Sequence, residues 1–78
     1  MEKHNKAFGS ALRSFRKHKK LTQDILALDA GLDRTSISLL ELGQRSPTLD
    51  TIIALCNTLE ISLTEFAAVV DIKIRETK

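Results

Sequence analysis

The chain has 78 residues, a single cysteine and a formal net charge of +2. A chain this short buries only about 60% of the surface that its unfolded form exposes, so it can form one hydrophobic core and not two. Cys56 has no intramolecular disulfide partner, and no apolar run approaches the roughly 18 to 20 residues of a membrane span. We therefore expect one cytoplasmic domain over residues 1–78, without a signal peptide and with its core between about residues 8 and 70.

The charged residues are distributed unevenly along the chain. Residues 1–20 hold seven Lys or Arg and one Glu, residues 21–71 hold two Arg and eight acids, and residues 72–78 hold three bases and one acid. These segments carry +6, −6 and +2, respectively. The basic start is either a solvated helix end or part of a phosphate-binding face, and the charge alone does not decide between the two.

Apolar spacing predicts a first helix that ends near residue 20. Its apolar residues recur at steps of three and four and form one stripe: Phe8, Ala11, Leu12 and Phe15. Thr22 is a suitable N-cap and Gly31 a suitable stop for a second helix over about 22–30. Asp33 can cap a third helix, which runs to about residue 42 and is followed by a glycine. Only three residues then separate the second helix from the third.

The remainder of the chain predicts two more helices and no strand. Thr48 begins a fourth helix with a wide apolar stripe, which should make it the central core element: Leu49, Ile52, Ile53, Cys56 and Leu59. Ser62 caps a last helix, which reaches Val70. The tail over 71–78 alternates apolar and charged residues and is ambiguous. The fold class expected is therefore an all-α bundle of five helices.

The short connection between the second and third helices has a physical consequence. Two helices joined so tightly cross steeply, and the second can project into a major groove, which is about 12 Å wide. At its front, Arg34 can donate two parallel hydrogen bonds to guanine, and Thr35 can contact a thymine methyl group. Ordinary polar residues on a solvated helix surface would look the same, so these residues alone leave both interpretations open.

A set of residues in one register carries a family resemblance: Thr22, Gln23, Ala27, Ala30, Gly31, Ile37, Ser38, Leu40, Glu41, Gly43 and Pro47. From about Phe8 to Phe66, the chain resembles the phage-repressor and Cro-like helix-turn-helix family, the xenobiotic response element type. The run Gly31-Leu32-Asp33-Arg34-Thr35 is most similar to controller proteins of restriction-modification systems. The resemblance implies a lambda-repressor-like DNA-binding domain, bacterial or phage-encoded and nucleoid-associated when bound.

Three groups of site residues follow from the side-chain chemistry and the resemblance together. The expected base contacts are Arg34, Thr35, Ser36, Ser38 and Leu39. The expected phosphate contacts are Thr22, Gln23, Gln44, Arg45 and Ser46. Arg16 and Glu41 match a family pair that ties the first helix to the third and has a structural role.

Four apolar residues stand where this family usually has polar ones: Ile25, Leu28, Leu39 and Leu42. They lie off the predicted core stripes. Scattered surface hydrophobic residues are normal and explain them most simply. The alternatives are a protein contact or, for Leu39, contact with a thymine methyl group.

The function expected is a transcriptional regulator that binds double-stranded DNA as a homodimer, with half-sites roughly 34 Å apart. The last helix and the tail supply the expected dimer interface: Leu63, Phe66, Val69, Val70 and Ile72. The alternative is an antitoxin-like protein-interaction subunit that also binds DNA.

No catalytic arrangement, cofactor motif or small-molecule sensor is evident, so an enzyme is not expected. His4, His18 and Cys56 lack zinc-ligand spacing, and a cysteine within the apolar stripe of the fourth helix indicates a core residue rather than a metal ligand.

Overall fold

In the computed structural model, which describes residues 2–76, the chain folds into five α-helices and, within those residues, no strand. The helices are α1 (Glu2–His18), α2 (Gln23–Ala30), α3 (Arg34–Glu41), α4 (Leu49–Leu59) and α5 (Leu63–Glu76). The predicted all-α class is confirmed.

Side chains cap the beginnings of α2 to α5. In each case a side-chain oxygen accepts a hydrogen bond from the backbone N–H three residues later, at 2.7 to 3.1 Å. The capping residues are Thr22, Asp33, Thr48 and Ser62, all as predicted. Each cap satisfies a backbone donor that has no partner inside its helix, so local chemistry defines where these helices begin.

The core is one apolar cluster to which every helix contributes. Its buried members are Phe8, Ala11, Leu12, Leu26, Ala27, Ile37, Leu40, Leu55, Cys56, Leu59 and Phe66. The Phe66 ring packs edge-on against Phe8, with centroids 5.1 Å apart, and stacks on Phe15 at 5.5 Å. Cys56 is a buried free thiol whose pKa is raised by burial, which agrees with its predicted place in the core.

The predicted role of α4 is wrong in two respects. Leu49 and Ile53 are exposed, whereas Leu55, outside the predicted stripe, is fully buried. Each helix packs mainly against two others, α1 against α3 and α5 and α4 against α2 and α5, so α4 is not a central element. Only part of its wide apolar surface faces α2 and α5, and the buried side is the one that includes Leu55.

The predicted tail is largely helical. Residues 71–76 continue α5, with Arg75 Nε 3.3 Å from Asp71 Oδ2 one turn earlier. Ile74 is half-buried and lines a groove with Val70, one helical turn earlier. The helix therefore continues past Val70 and keeps Ile74 on the same apolar side as Val70. The last two residues of the predicted tail, 77 and 78, lie outside the described residues.

Within residues 2–76, no single helix is long and apolar enough to cross a membrane. Only α4 and α5 taken together reach the necessary length and apolar composition, and the chain bends by 108° between them. Over the same residues, no group of three or more His, Cys, Asp or Glu side chains could hold a metal ion.

Gly9 permits the close crossing of α1 over the end of α3, a role that the apolar pattern did not indicate. A Cβ added there would lie against the Leu40 carbonyl oxygen, 2.5 Å from the Glu41 carbonyl oxygen and 2.8 Å from the Glu41 carbonyl carbon. These are backbone atoms, which cannot rotate away as a flexible side chain can. The two helices would therefore have to separate to admit a methyl group.

We expect Gly9→Ala to lower the free energy of unfolding by about 1 to 3 kcal/mol, the usual cost of overpacking. This loss runs against helix propensity, which favours alanine over glycine by up to about 1 kcal/mol. Urea denaturation measures the change. Ser10→Ala, at the exposed next position of α1, is the control and should stay within about 0.5 kcal/mol of the wild type. Equal stability of the two variants would contradict the role given to Gly9.

Candidate nucleic-acid interface

The turn between α2 and α3 depends on Gly31. Its φ of +74° is in the left-handed region, which glycine occupies without steric cost. There its N–H donates to the Leu28 carbonyl, and the next N–H, of Leu32, donates to the Ala27 carbonyl at 2.8 Å. Asp33 then caps α3, and its hydrogen bonds from Ser36 lower the pKa of the Asp33 carboxyl. The result is a compact helix-turn-helix in which three residues, 31–33, separate α2 from α3.

The front of α3 presents one continuous side, which is polar except for Leu39. Arg34, Thr35, Ser38 and Leu39 line a shallow hollow together with Gln23 of α2. On the other side of the same helix, Ile37 and Leu40 are buried in the core. Four of the five expected base contacts therefore share a face that is open to solvent, next to the expected phosphate anchor at the start of α2.

Ser36 does not share that face. Its hydroxyl accepts a hydrogen bond from Arg45 Nη1 at 3.0 Å, and the residue lines a different hollow, with Pro47 and Thr51. The α-helical step of about 100° per residue turns Ser36 away from the side that Arg34 and Ser38 share. We therefore remove Ser36 from the expected base contacts; it contacts the loop after α3 instead.

Arg34 has an intramolecular neighbour that the sequence interpretation missed. Its Nε lies 3.8 Å from Asp24 Oδ1, and both side chains are largely exposed. An exposed pair at this distance contributes at most about 1 kcal/mol, so it restrains the guanidinium without preventing another contact. Nothing in the local sequence indicates that α3 brings Arg34 beside Asp24.

The expected pair of Arg16 and Glu41 is in contact and largely buried. Arg16 Nε lies 2.6 Å from Glu41 Oε2 and Nη2 lies 3.1 Å from Oε1, with only 11% and 5% of the two side chains exposed. A third guanidinium donor, Nη1, binds the Leu21 carbonyl oxygen at 2.8 Å. The hydrogen bond with Glu41 raises the pKa of Arg16 and outweighs the opposing effect of burial. The forked contact fixes α1 against the end of α3.

Gln23 joins this pair. Its Nε2 donates to Glu41 Oε1 at 3.0 Å, so one carboxylate receives donors from both α1 and α2. This hydrogen bond uses one of the two amide hydrogens of Gln23. It leaves the second amide hydrogen and the backbone N–H at the start of α2 as donors outside this contact. The side chain is thus held at the helix N-terminus, where an anion is favoured.

The other expected phosphate contacts lie at two places. Thr22 is exposed at the beginning of α2, where its Oγ1 already serves as the cap. Gln44, Arg45 and Ser46 lie in the loop after α3, which turns at Gly43 with φ +74°. Ser46 in addition exchanges hydrogen bonds with Asn5 of α1, a partner that the sequence did not suggest.

The four unusual apolar residues lie outside the core, as the sequence predicted. Ile25, Leu28 and Leu42 are exposed, and Leu39 is half-buried. Leu39 lines the hollow of Arg34 and Thr35, so of the four it is the one that the structure places among the expected base contacts.

The expected interface residues of α5 do not form a single surface. Leu63, Phe66 and Val70 line an apolar groove that also includes Ile52 and Ile74. Val69 lines a separate hollow, with Phe15 and His18 of α1. Ile72 lies nine positions after Leu63, which at about 100° per residue is the opposite side of the helix. Phe66 belongs to the monomer core, with 2% of its surface exposed, so we withdraw it as an interface residue.

Together, the tight turn and the exposed front of α3 define a helix-turn-helix protein. Residues 9–72 match the helix-turn-helix domain family, and the chain belongs to that family. It is also 41% identical, over 56 residues, to an uncharacterised HTH-type transcriptional regulator, YqaE, of Bacillus subtilis strain 168. The match covers 72% of this chain and 48% of YqaE, so the chain spans about half the length of that relative.

Solved structures extend the comparison to the whole bundle. The clp gene regulator ClgR of Corynebacterium glutamicum superposes with a TM-score of 0.90 at 26% identity, covering 94% of this chain and 78% of ClgR. The restriction-modification controller protein C.AhdI of Aeromonas hydrophila gives 0.77 at 39% identity, over 80% and 94% of the two chains. A third structure is the controller protein C.Esp1396I, a tetramer in complex with its natural 35-base-pair operator, with 0.85 at 28% identity over 92% and 95%.

We expect Glu41→Ala to lower the free energy of unfolding by about 3 kcal/mol or more, because it leaves the Arg16 charge buried without its partner. Replacing both residues, as Arg16→Met with Glu41→Leu, removes that unpaired charge and should recover most of the loss. Thermal or urea unfolding of the two variants provides the measurement. If the double variant is no more stable than Glu41→Ala, the loss does not come from an unpaired charge.

Proposed function

We propose that the protein is a transcriptional regulator that reads an operator in double-stranded DNA by inserting α3 into the major groove. The observation that carries the proposal is the open face of α3, which Arg34, Thr35, Ser38 and Leu39 share. The opposite side of the same helix is buried in the core through Ile37 and Leu40. A helix supported in this way can enter a groove about 12 Å wide without disturbing the bundle. Such a protein acts in the cytoplasm, at the nucleoid, and has no catalytic role.

Within this proposal, base reading and phosphate binding fall to different residues. Arg34 and Thr35 read base edges, because a guanidinium can donate to guanine N7 and O6 and a threonine methyl can contact thymine. Ser38 and Leu39 add contacts along the same face. Gln23 and Thr22, at the beginning of α2, bind a backbone phosphate, as does the loop of Gln44, Arg45 and Ser46.

We further propose that the active form is a homodimer on a two-fold symmetric operator. One α3 of eight residues reads too few bases for useful specificity, and pairing doubles the readout. The C.Esp1396I structure, a tetramer on its operator, supports an oligomeric form. A second copy of this chain would cover the groove that Leu63, Val70 and Ile74 line, an apolar surface that extends from α5 to Ile52 of α4.

Arg34→Ala and Gln23→Ala test the division of roles on DNA. On a duplex selected from a random pool, Arg34→Ala should cost about 1 to 3 kcal/mol of binding and relax the preference at one base position. Gln23→Ala should weaken the selected duplex and an unrelated duplex by the same factor, because a phosphate contact carries no sequence information. Fluorescence anisotropy measures both. Equal losses from the two variants on every duplex would contradict the assignment.

Leu63→Glu and Ile72→Glu form a matched pair for the dimer. The two residues are similarly exposed, at 43% and 53%, but only Leu63 lines the groove. We expect Leu63→Glu to shift the protein to monomer in sedimentation equilibrium, because it places a charge in the buried interface, and Ile72→Glu to leave the dimer intact. The reverse result would move the interface to the Ile72 side of α5. A dimer that binds no DNA would overturn the proposed regulator.

A further inference from the structure

An open hollow outside the helix-turn-helix lies between the start of α1 and the loop after α3. It has a volume of about 640 Å³ and is lined by Asn5, Lys6 and residues 42–46. Two cations, Lys6 and Arg45, belong to this lining, and no acid does. None of the ion pairs within residues 2–76 involves either cation. The hollow is therefore a concave surface whose lining holds two positive charges and no acid; Arg45 also interacts electrostatically with the carboxylate of Asp33, which lies outside the lining.

Specific contacts bring the two sides of this hollow together. Asn5 Nδ2 donates to Ser46 Oγ at 2.9 Å, and Ser46 Oγ donates to Asn5 Oδ1 at 3.2 Å. Gly43, at φ +74°, approaches so closely that an added Cβ would lie 2.6 Å from Lys6 Cγ. These contacts join residues about forty positions apart and hold the loop against the first turns of α1.

The hollow is also connected to the proposed reading helix. Arg45 Nη1 donates to Ser36 Oγ at 3.0 Å, so the guanidinium extends from the hollow to the first turn of α3. A DNA strand that flanks a groove occupied by a recognition helix carries phosphates at regular intervals. A guanidinium and an ammonium on the two sides of a hollow provide the donors and the charge that a phosphate requires.

We propose that this hollow binds a backbone phosphate of the DNA, with Lys6 as a contact residue and Asn5 as a positioning residue that acts through Ser46. The inference rests on the proposed function. It extends the DNA-binding surface onto α1, and it gives Lys6, one of the seven bases in the first 20 residues, a role that charge alone did not decide.

Lys6→Gln tests the contact, with Lys17→Gln as the matched control. Both lysines are exposed on α1, and they are 11 positions apart, which is about three helical turns, so they share one side of the helix. A labelled duplex of random sequence is sufficient, because phosphate contacts do not depend on sequence. Affinity is measured by anisotropy between about 50 and 200 mM salt.

We expect Lys6→Gln to lower the slope of log K against log salt by about one per monomer and to weaken every duplex alike, while Lys17→Gln leaves the slope unchanged. Equal reductions from both variants would show general attraction to a basic helix and would overturn the proposal. If the wild type binds DNA and Lys6→Gln leaves the slope unchanged, the hollow does not bind a phosphate, but the proposed function stands. A wild type without salt-dependent binding would overturn the proposed function as well.

A double-mutant cycle tests Asn5. If Asn5 acts through Ser46, Asn5→Ala and Ser46→Ala should each weaken binding to the duplex, and the double variant should be no weaker than the weaker single variant. Both residues contact each other at the surface, so urea unfolding should show stabilities close to the wild type and exclude loss of folding as the cause. Additive losses in affinity would show that Asn5 does not act through the loop.

Discussion

The contact between Arg16 and Glu41 is the constraint on which the arrangement of the motif depends. The Glu41 carboxylate, almost fully buried at the end of α3, accepts hydrogen bonds from Arg16 of α1 and Gln23 of α2. Three helices therefore converge on two oxygen atoms. Removing charges from water offsets much of the electrostatic gain, so a buried pair contributes less to net stability than its geometry suggests. Its effect here is to define one relative position for α1, α2 and α3, because any other packing would leave a buried charge without a partner.

The orientation of α3 follows from that constraint. Gly9 lets α1 approach the backbone at the end of α3, and this approach brings Arg16, two turns further along α1, to Glu41. Ile37 and Leu40 are then directed into the core, which leaves Arg34 and Thr35 on the open side. The polar front of the helix is thus exposed for the same reason that its apolar back is buried. A rigid support of this kind is what precise contact with base edges requires.

Interactions that span three or four residues were predictable from the sequence. The caps Thr22, Asp33, Thr48 and Ser62 each bind a backbone N–H three positions later, so residue type and spacing were sufficient. The same holds for Gly31 and the turn, and the family resemblance included the pairing of Arg16 with Glu41. The apolar stripe of α4 was less informative, because it is wider than the surface that α2 and α5 cover, and only the packing selects the side with Leu55.

The sequence by itself thus determined five helices, the starting points of the last four, the tight turn and the residues available at the front of α3. The tertiary structure alone decided which residues lie together. It separated Ser36 from Arg34 on α3, and it joined Asn5 of α1 to Ser46. It also placed Phe66 between the rings of Phe8 and Phe15 and divided the apolar residues of α5 between two sides of that helix. The physical reason is the range of the interactions. Caps and turns form between near neighbours in the chain, whereas burial and ion pairing depend on helices that the chain brings together only when it folds.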